Sequence, residues 1–151
     1  MSIHDRLRAR GIALPHAAAP VASYQPVVVD GHTAFVSGQL PFVDGELVTG
    51  KLGEGVTLEQ GQQAARACGL MILAQLEAAG LIERVAHFVK LGGFVACTPD
   101  FYDQPKVING ASDLMYEVFG DPGKHARSAV GVPALPLNAA VEVDAIVALK
   151  A

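Results

Sequence analysis

The chain has 151 residues, a length typical of one domain, and we expect a single domain over residues 1–151. Its 11 Lys and Arg against 15 Asp and Glu give a net charge of −4, which leaves no basic surplus for binding nucleic acid through its phosphates. Charged residues make up 17% and hydrophobic residues 51% of the chain. This balance excludes disorder and predicts that part of the apolar surface is covered in an oligomer.

The N-terminal part of the chain starts with charged residues and continues as an Ala- and Pro-rich stretch to residue 22, in which we find no helical or strand period. We interpret residues 1–17 as an N-terminal arm. The longest uncharged run, residues 11–29, contains three prolines and is therefore not a membrane-spanning helix. Cys68 and Cys97 fall in apolar segments and are expected to be buried, reduced thiols. These features predict a cytoplasmic protein with no membrane partner.

Short β-rich segments come next. Residues 25–30 and 33–39 read as two strands, and Asp30-Gly31 between them is typical of a hairpin turn. A second turn is predicted at residues 43–46. The Gly-rich residues 50–55 either cradle an anion or form a flexible crossover, and their glycine spacing fits neither a Walker loop nor a dinucleotide fingerprint.

The first long helix is predicted to begin after Thr57, which forms a capping box with Gln60. Gly80 is typical of the position that follows a helix C-terminus. The helix has apolar residues on two faces in its second half, which indicates contact with something beyond its own sheet. Gly61 and Gly69 are costly inside a helix, so we expect close packing at both positions.

A long strand is predicted over residues 85–97, followed by a second helix. Asp103 is the expected N-cap of this helix, Pro105 lies in its first turn, and Gly120 ends it. Two further strands, residues 128–132 and 140–149, close the chain, and the last one alternates cleanly between apolar and other residues.

The element order β-β-α-β-α-β-β, with a hairpin at each end, predicts an α+β fold. We expect a mixed or antiparallel sheet with both helices on one face. The opposite face would be uncovered in a single chain, and we expect sister subunits to bury it.

Several kinds of site are not supported by the sequence. The five histidines and two cysteines show no metal-ligand spacing, so we predict no metal site. Ser37 lacks the G-x-S-x-G context of a serine hydrolase. No lysine is singled out as the attachment point of a cofactor.

Arg127 is the strongest candidate for chemistry, because it lies where a turn enters an apolar strand. Its guanidinium either binds a ligand carboxylate through two hydrogen bonds or forms a structural ion pair with Glu142 or Asp144. Glu142 and Asp144 share one face of the last strand. They are either solvent-exposed or, beside an arginine, able to position a water molecule.

The chain resembles the YjgF–RidA family of enamine/imine deaminases, often labelled endoribonuclease L-PSP-like. The resemblance covers roughly residues 18 to 150, in the order and spacing of the family. The matching segments are Ala19-Pro20 with Tyr24, Phe35-Val36-Ser37-Gly38-Gln39-Leu40-Pro41, Glu77-Ala78-Ala79-Gly80-Leu81, Tyr116-Glu117-Val118-Phe119, Ala126-Arg127-Ser128-Ala129-Val130, Leu135-Pro136 and Val141-Glu142-Val143-Asp144-Ala145.

The resemblance implies a chorismate-mutase-like fold, a homotrimer with sites between subunits, and cofactor-free hydrolysis of 2-imino acids to 2-keto acids and ammonia. Arg127 would bind the substrate carboxylate, Glu142 would orient or activate the attacking water, and Tyr24 would close the pocket. The remaining substrate-binding candidates are Ser37, Gly38, Ser128, Asn109 and Asp113.

The chain also departs from the family. Many deaminase members carry a cysteine where this chain has Ala129, and the turn of the second helix around Asn109 differs. These departures, with His125 ahead of Arg127, indicate a distinct branch. One alternative is a non-catalytic trimer that binds a small carboxylate. The other is a ribonuclease or translation inhibitor, which the net negative charge of the chain disfavours.

Overall fold

The computed structural model describes residues 1–20 and 22–151. The helices are α1 (Ile3–Ala9), α2 (Leu58–Ala78) and α3 (Gln104–Phe119). The strands are β1 (Val27–Asp30), β2 (Thr33–Gln39), β3 (Phe42–Val43), β4 (Glu46–Leu47), β5 (Lys51–Leu52), β6 (Gly55–Val56), β7 (Val85–Ala96), β8 (Ala126–Val132) and β9 (Val141–Leu149). The fold is α+β with a mixed sheet, as the sequence predicts.

The main sheet has five strands in the order β1-β2-β9-β7-β8. Strands β7 and β8 are parallel, and the other neighbours are antiparallel. The predicted hairpin at the C-terminal end is therefore wrong, because β7 lies between β8 and β9. The helix α3 is the crossover that returns the chain beside β7 in the parallel direction, and β9 then pairs with β7 and β2.

The helices α2 and α3 pack against each other and against the same face of the sheet. Their contact is close because glycines line it. A Cβ on Gly110 would collide with the carbonyl of Gln62, and one on Gly69 would lie 2.9 Å from Leu114 Cδ2. At Gly61, a Cβ would lie 2.9 Å from Leu52 Cδ1. Close packing thus explains the helical glycines, as expected.

Local signals in the sequence are mostly confirmed. The Asp30-Gly31 turn joins β1 to β2, with a φ of 62° at Gly31. The capping box of Thr57 and Gln60 starts α2. Asp103 occupies the N-cap of α3, but its side chain makes no capping hydrogen bond. The Gly-rich segment at residues 50–55 contains the short strand β5 and the first residue of β6, which pairs with β5 in parallel.

The helix α1 was not predicted, because its seven residues are too few to show a period. Ser2 and Asp5 form its capping box, and Leu7 is its buried residue. His4 pairs with Glu83 and lies 2.5 Å from Glu77 through Nε2, which ties the helix to the body of the chain. The N-terminal arm is thus anchored by its first turns.

Cys68 and Cys97 are buried free thiols, as expected. Among the residues that the structure describes, no helix is long and apolar enough to cross a membrane.

Candidate active site

The residues predicted to form a site fall into separate clusters. The first cluster lines an open cavity of about 480 Å³ and comprises Tyr24, Ser37, Gly38 and Glu142. The second lies at the outer edge of the sheet, where Arg127 contacts α3 and lines a cavity of about 360 Å³. Ser128 belongs to neither cluster and lines a third cavity, on the uncovered face of the sheet.

Glu142 is positioned by the alternation of β9. Every second residue from Val141 is buried, which turns Glu142 and Asp144 away from the helices. Gly38 leaves room for the carboxylate of Glu142, because a Cβ at this position would collide with Oε2. Burial raises the pKa of Glu142, and the charge of Asp144 raises it further. Glu142 is therefore a half-buried carboxylate that holds its proton more readily than an ordinary glutamate.

A buried chain of amides forms one wall of the Glu142 cavity. Gln75 Nε2 donates to the carbonyl of Ala18 at 2.7 Å and to Gln39 Oε1 at 3.2 Å. Gln39 Nε2 donates to the carbonyl of Ser37 at 3.0 Å. These bonds tie the segment that leads to Tyr24 to both α2 and β2. Gln75 was not predicted as a site residue, and its signal in the sequence is a polar residue in the apolar second half of α2.

Arg127 is held by neutral oxygen atoms of α3. Nη1 donates to Asn109 Oδ1 at 2.8 Å and to Ser112 Oγ at 3.1 Å, and Nη2 donates to the carbonyl of Pro105 at 3.3 Å. Of the residues described, none forms an ion pair with Arg127. The ion pair with Glu142 is excluded within one chain, since β7 separates their strands and Arg127 turns toward α3.

Ser112 and His125 were not predicted as site residues. Ser112 Oγ and His125 Nε2 lie 2.9 Å apart, and His125 Nδ1 lies 2.6 Å from the carbonyl of Gly123. Asp113 lines the same cavity as Arg127. In the sequence, His125 is the only one of these residues near Arg127, which it precedes by two positions. Ser112 lies 15 positions from Arg127, so no local pattern links the two.

The face of the sheet opposite to the helices carries exposed apolar side chains. Val28 is 50%, Phe35 45% and Val130 46% exposed. Asp144 lies over Gly92 on this face, and burial raises its pKa although a hydrogen bond from Gly92 opposes the shift. Within residues 1–20 and 22–151, no cluster of three or more His, Cys, Asp or Glu side chains could hold a metal ion.

The fold defines a class, the α+β proteins with a mixed sheet and two long helices on one of its faces. Residues 4–149 match the model of the family described as "YjgF/chorismate_mutase-like, putative endoribonuclease". The chain belongs to this family, which confirms the resemblance seen in the sequence.

Curated relatives and solved structures agree with this assignment. The chain is 52% identical over 147 residues to Protein TCP17 of Trypanosoma cruzi, covering 95% of this chain and 92% of that protein. It is 33% identical over 141 residues to the 2-iminobutanoate/2-iminopropanoate deaminase of Dermatophagoides farinae, covering 93% and 97%. It is 44% identical to Atu1372 of Agrobacterium tumefaciens, a solved structure of unknown function, with a TM-score of 0.89 over 99% of this chain and 93% of that one.

Proposed function

We propose that this protein is a deaminase that hydrolyses small 2-imino carboxylates to 2-keto acids and ammonia, without a cofactor, in clefts between the subunits of a homotrimer. The observation that carries the proposal is the carboxylate of Glu142. It is half-buried at an open cavity, and its raised pKa suits proton transfer. No Lys, Arg or His of the described residues forms an ion pair with it. The deaminase name of the Dermatophagoides farinae relative supports the same reaction.

Arg127 is the proposed anchor for the substrate carboxylate. Its three contacts in the chain are all with neutral acceptors, so its charge is not neutralised there. A guanidinium held in this way binds a carboxylate through two parallel, charge-assisted hydrogen bonds. Asn109 fixes the guanidinium directly. Asp113, in the same cavity, is suited to accept an N–H of the substrate rather than to bind its carboxylate.

The proposed assembly brings the two clusters together. Within one chain the Arg127 cavity faces α3 at the edge of the sheet, whereas Glu142 lies on the other side of β7 and faces away from the helices. A neighbouring subunit that covers the exposed side chains of Val28, Phe35 and Val130 would bury apolar surface. Each site would then combine Arg127 of one subunit with Glu142 of the next.

The chemical step needs only positioning and one general base. The Glu142 carboxylate takes a proton from a water molecule as the water oxygen bonds to the imine carbon and the C=N π electrons move to nitrogen. The carboxyl group returns this proton to nitrogen, which gives a carbinolamine. The carboxylate then takes the hydroxyl proton of the carbinolamine and passes it to the nitrogen as the C=O bond forms, the C–N bond breaks and ammonia leaves. Tyr24 closes the cavity, and backbone groups near Ser37 and Gly38 line it.

The test is hydrolysis of 2-iminobutanoate and 2-iminopropanoate, generated in situ by a pyridoxal-phosphate-dependent dehydratase, with semicarbazide as the competing trap. We expect Glu142→Gln to lower kcat about 100-fold by removing the base. We expect Arg127→Ala to lower kcat/KM about 100-fold by removing the charged, bidentate contact.

The same assay separates the deaminase from the carboxylate-binding alternative. If the folded wild-type protein does not accelerate hydrolysis but binds a 2-keto acid through Arg127, the protein is a binding module. In that case Glu142→Gln would leave the affinity unchanged, since the carboxylate contact does not need a base.

A further inference from the structure

A directional chain of hydrogen bonds runs from Arg127 through Ser112 to His125. The carbonyl of Gly123 can only accept, so His125 Nδ1 carries a hydrogen and donates it across 2.6 Å. In the neutral ring Nε2 is then the acceptor, and Ser112 donates its hydroxyl hydrogen to it across 2.9 Å. The lone pairs of Ser112 Oγ are left to accept from Arg127 Nη1 at 3.1 Å.

The donors of the guanidinium can be counted. Arginine has five N–H groups. Both hydrogens of Nη1 are used by Asn109 and Ser112, and one hydrogen of Nη2 is used by the carbonyl of Pro105. Of the bonds formed within residues 1–20 and 22–151, none uses Nε–H or the second hydrogen of Nη2. Two donors on neighbouring nitrogens are what a bidentate carboxylate requires.

We infer that Ser112 and His125 are positioning residues that hold the Arg127 guanidinium with its two remaining N–H groups free for a carboxylate. The inference rests on the proposed role of Arg127 as the anchor of the substrate. Neither residue touches the substrate in this arrangement. They act through Arg127, on the orientation of its guanidinium.

Ser112 and His125 each have a separate physical role in this chain of hydrogen bonds. Without the hydroxyl of Ser112, one hydrogen of Nη1 has no partner and the long arginine side chain regains rotational freedom. Without His125, the hydroxyl of Ser112 is free to turn toward a backbone carbonyl of its own helix, the usual partner of a serine inside a helix. Both changes reduce the preorganisation of the guanidinium and leave the base, Glu142, untouched.

The experiment measures the binding of 2-oxobutanoate by calorimetry and the KM and kcat of imine hydrolysis for the full chain. We expect Ser112→Ala and His125→Ala to raise both Kd and KM about tenfold, the scale of one hydrogen bond to a charged group. We expect kcat to stay within about twofold, because a carboxylate contact is made equally in the ground and transition states. Ser112→Thr keeps the hydroxyl and should restore wild-type values.

The matched control is His32→Ala, since His32 is exposed in the β1–β2 hairpin and remote from Arg127. Wild-type affinity in Ser112→Ala and His125→Ala would overturn the inference, as would a loss of kcat at unchanged KM. Equal loss in Ser112→Ala and Ser112→Thr would also overturn it, by showing a packing effect. If the wild type binds 2-oxobutanoate without hydrolysing imines, only the deaminase fails; if it neither binds 2-oxobutanoate nor hydrolyses imines, both proposals fail.

Discussion

The cluster around Glu142 and the cluster around Arg127 are opposite in charge and alike in one respect. The carboxylate of Glu142 is half-buried beside a second acidic group, and the guanidinium of Arg127 is surrounded by neutral acceptors. In the described part of the chain neither is paired with a charge of the other sign. Charges left unpaired at concave surfaces are suited to bind charged groups from outside the chain.

The two clusters also differ in how they are held. Glu142 is placed by the backbone, through the alternation of β9 and the absence of a side chain at Gly38. Arg127 is placed by side chains, through Asn109 and the pair of Ser112 and His125. We therefore expect the Arg127 cluster to be the more easily adjusted by single substitutions.

The largest predicted effect comes from mixing two inactive variants. If each site takes Arg127 from one subunit and Glu142 from its neighbour, trimers that contain both Arg127→Ala and Glu142→Gln chains regain intact sites. Random mixing of equal amounts gives a site with both residues intact in about one quarter of cases. We expect co-expression of the two variants to restore about a quarter of the wild-type activity.

The control for this complementation is co-expression of Arg127→Ala with the double variant Arg127→Ala/Glu142→Gln, which regenerates no intact site. Activity of the mixed variants no higher than that of this control would contradict a shared site. Light scattering on the same samples measures the oligomeric state, and a stable monomer at micromolar concentration would contradict the proposed trimer directly.

A smaller effect is expected from Arg127→Lys. Lysine keeps the charge but offers a compact ammonium in place of a planar fork, and its shorter reach breaks the bonds to Asn109 and Ser112. We expect KM for 2-iminobutanoate to rise about tenfold while kcat changes little, because Glu142 is unaffected. An unchanged KM would show that the guanidinium geometry is not used.

Much of the fold follows from local sequence signals. The Asp30-Gly31 turn depends on adjacent residues and the capping box of Thr57 on residues three positions apart, so the sequence contains the whole interaction. The alternation of β9 likewise places Glu142 and Asp144 on one face without knowledge of the neighbouring strands. These features were predicted correctly for that reason.

The features that were missed depend on contacts between distant residues. The order of β8 and β9 is set by the crossover through α3, which no turn signal near residue 133 reveals. The bonds of Arg127 to Ser112 and Asn109 span 15 and 18 positions of the chain. The short helix α1 shows its capping residues in the sequence, but it is held in place by Glu77 and Glu83.

The smallest predicted effect separates the two acidic residues of β9. Burial is the main cause of the raised pKa of Glu142, and the charge of Asp144 is the second cause. Asp144→Asn removes that charge, so Glu142 should lose its proton at lower pH. Since hydrolysis requires the deprotonated base, the acid limb of the plot of kcat against pH should move to lower pH. The limb should return only part of the way toward the ordinary pKa of a glutamate, because burial still raises the pKa of Glu142. The matched control Asp30→Asn, in an exposed turn, should leave the limb in place; a limb unmoved by Asp144→Asn would show that another group sets it.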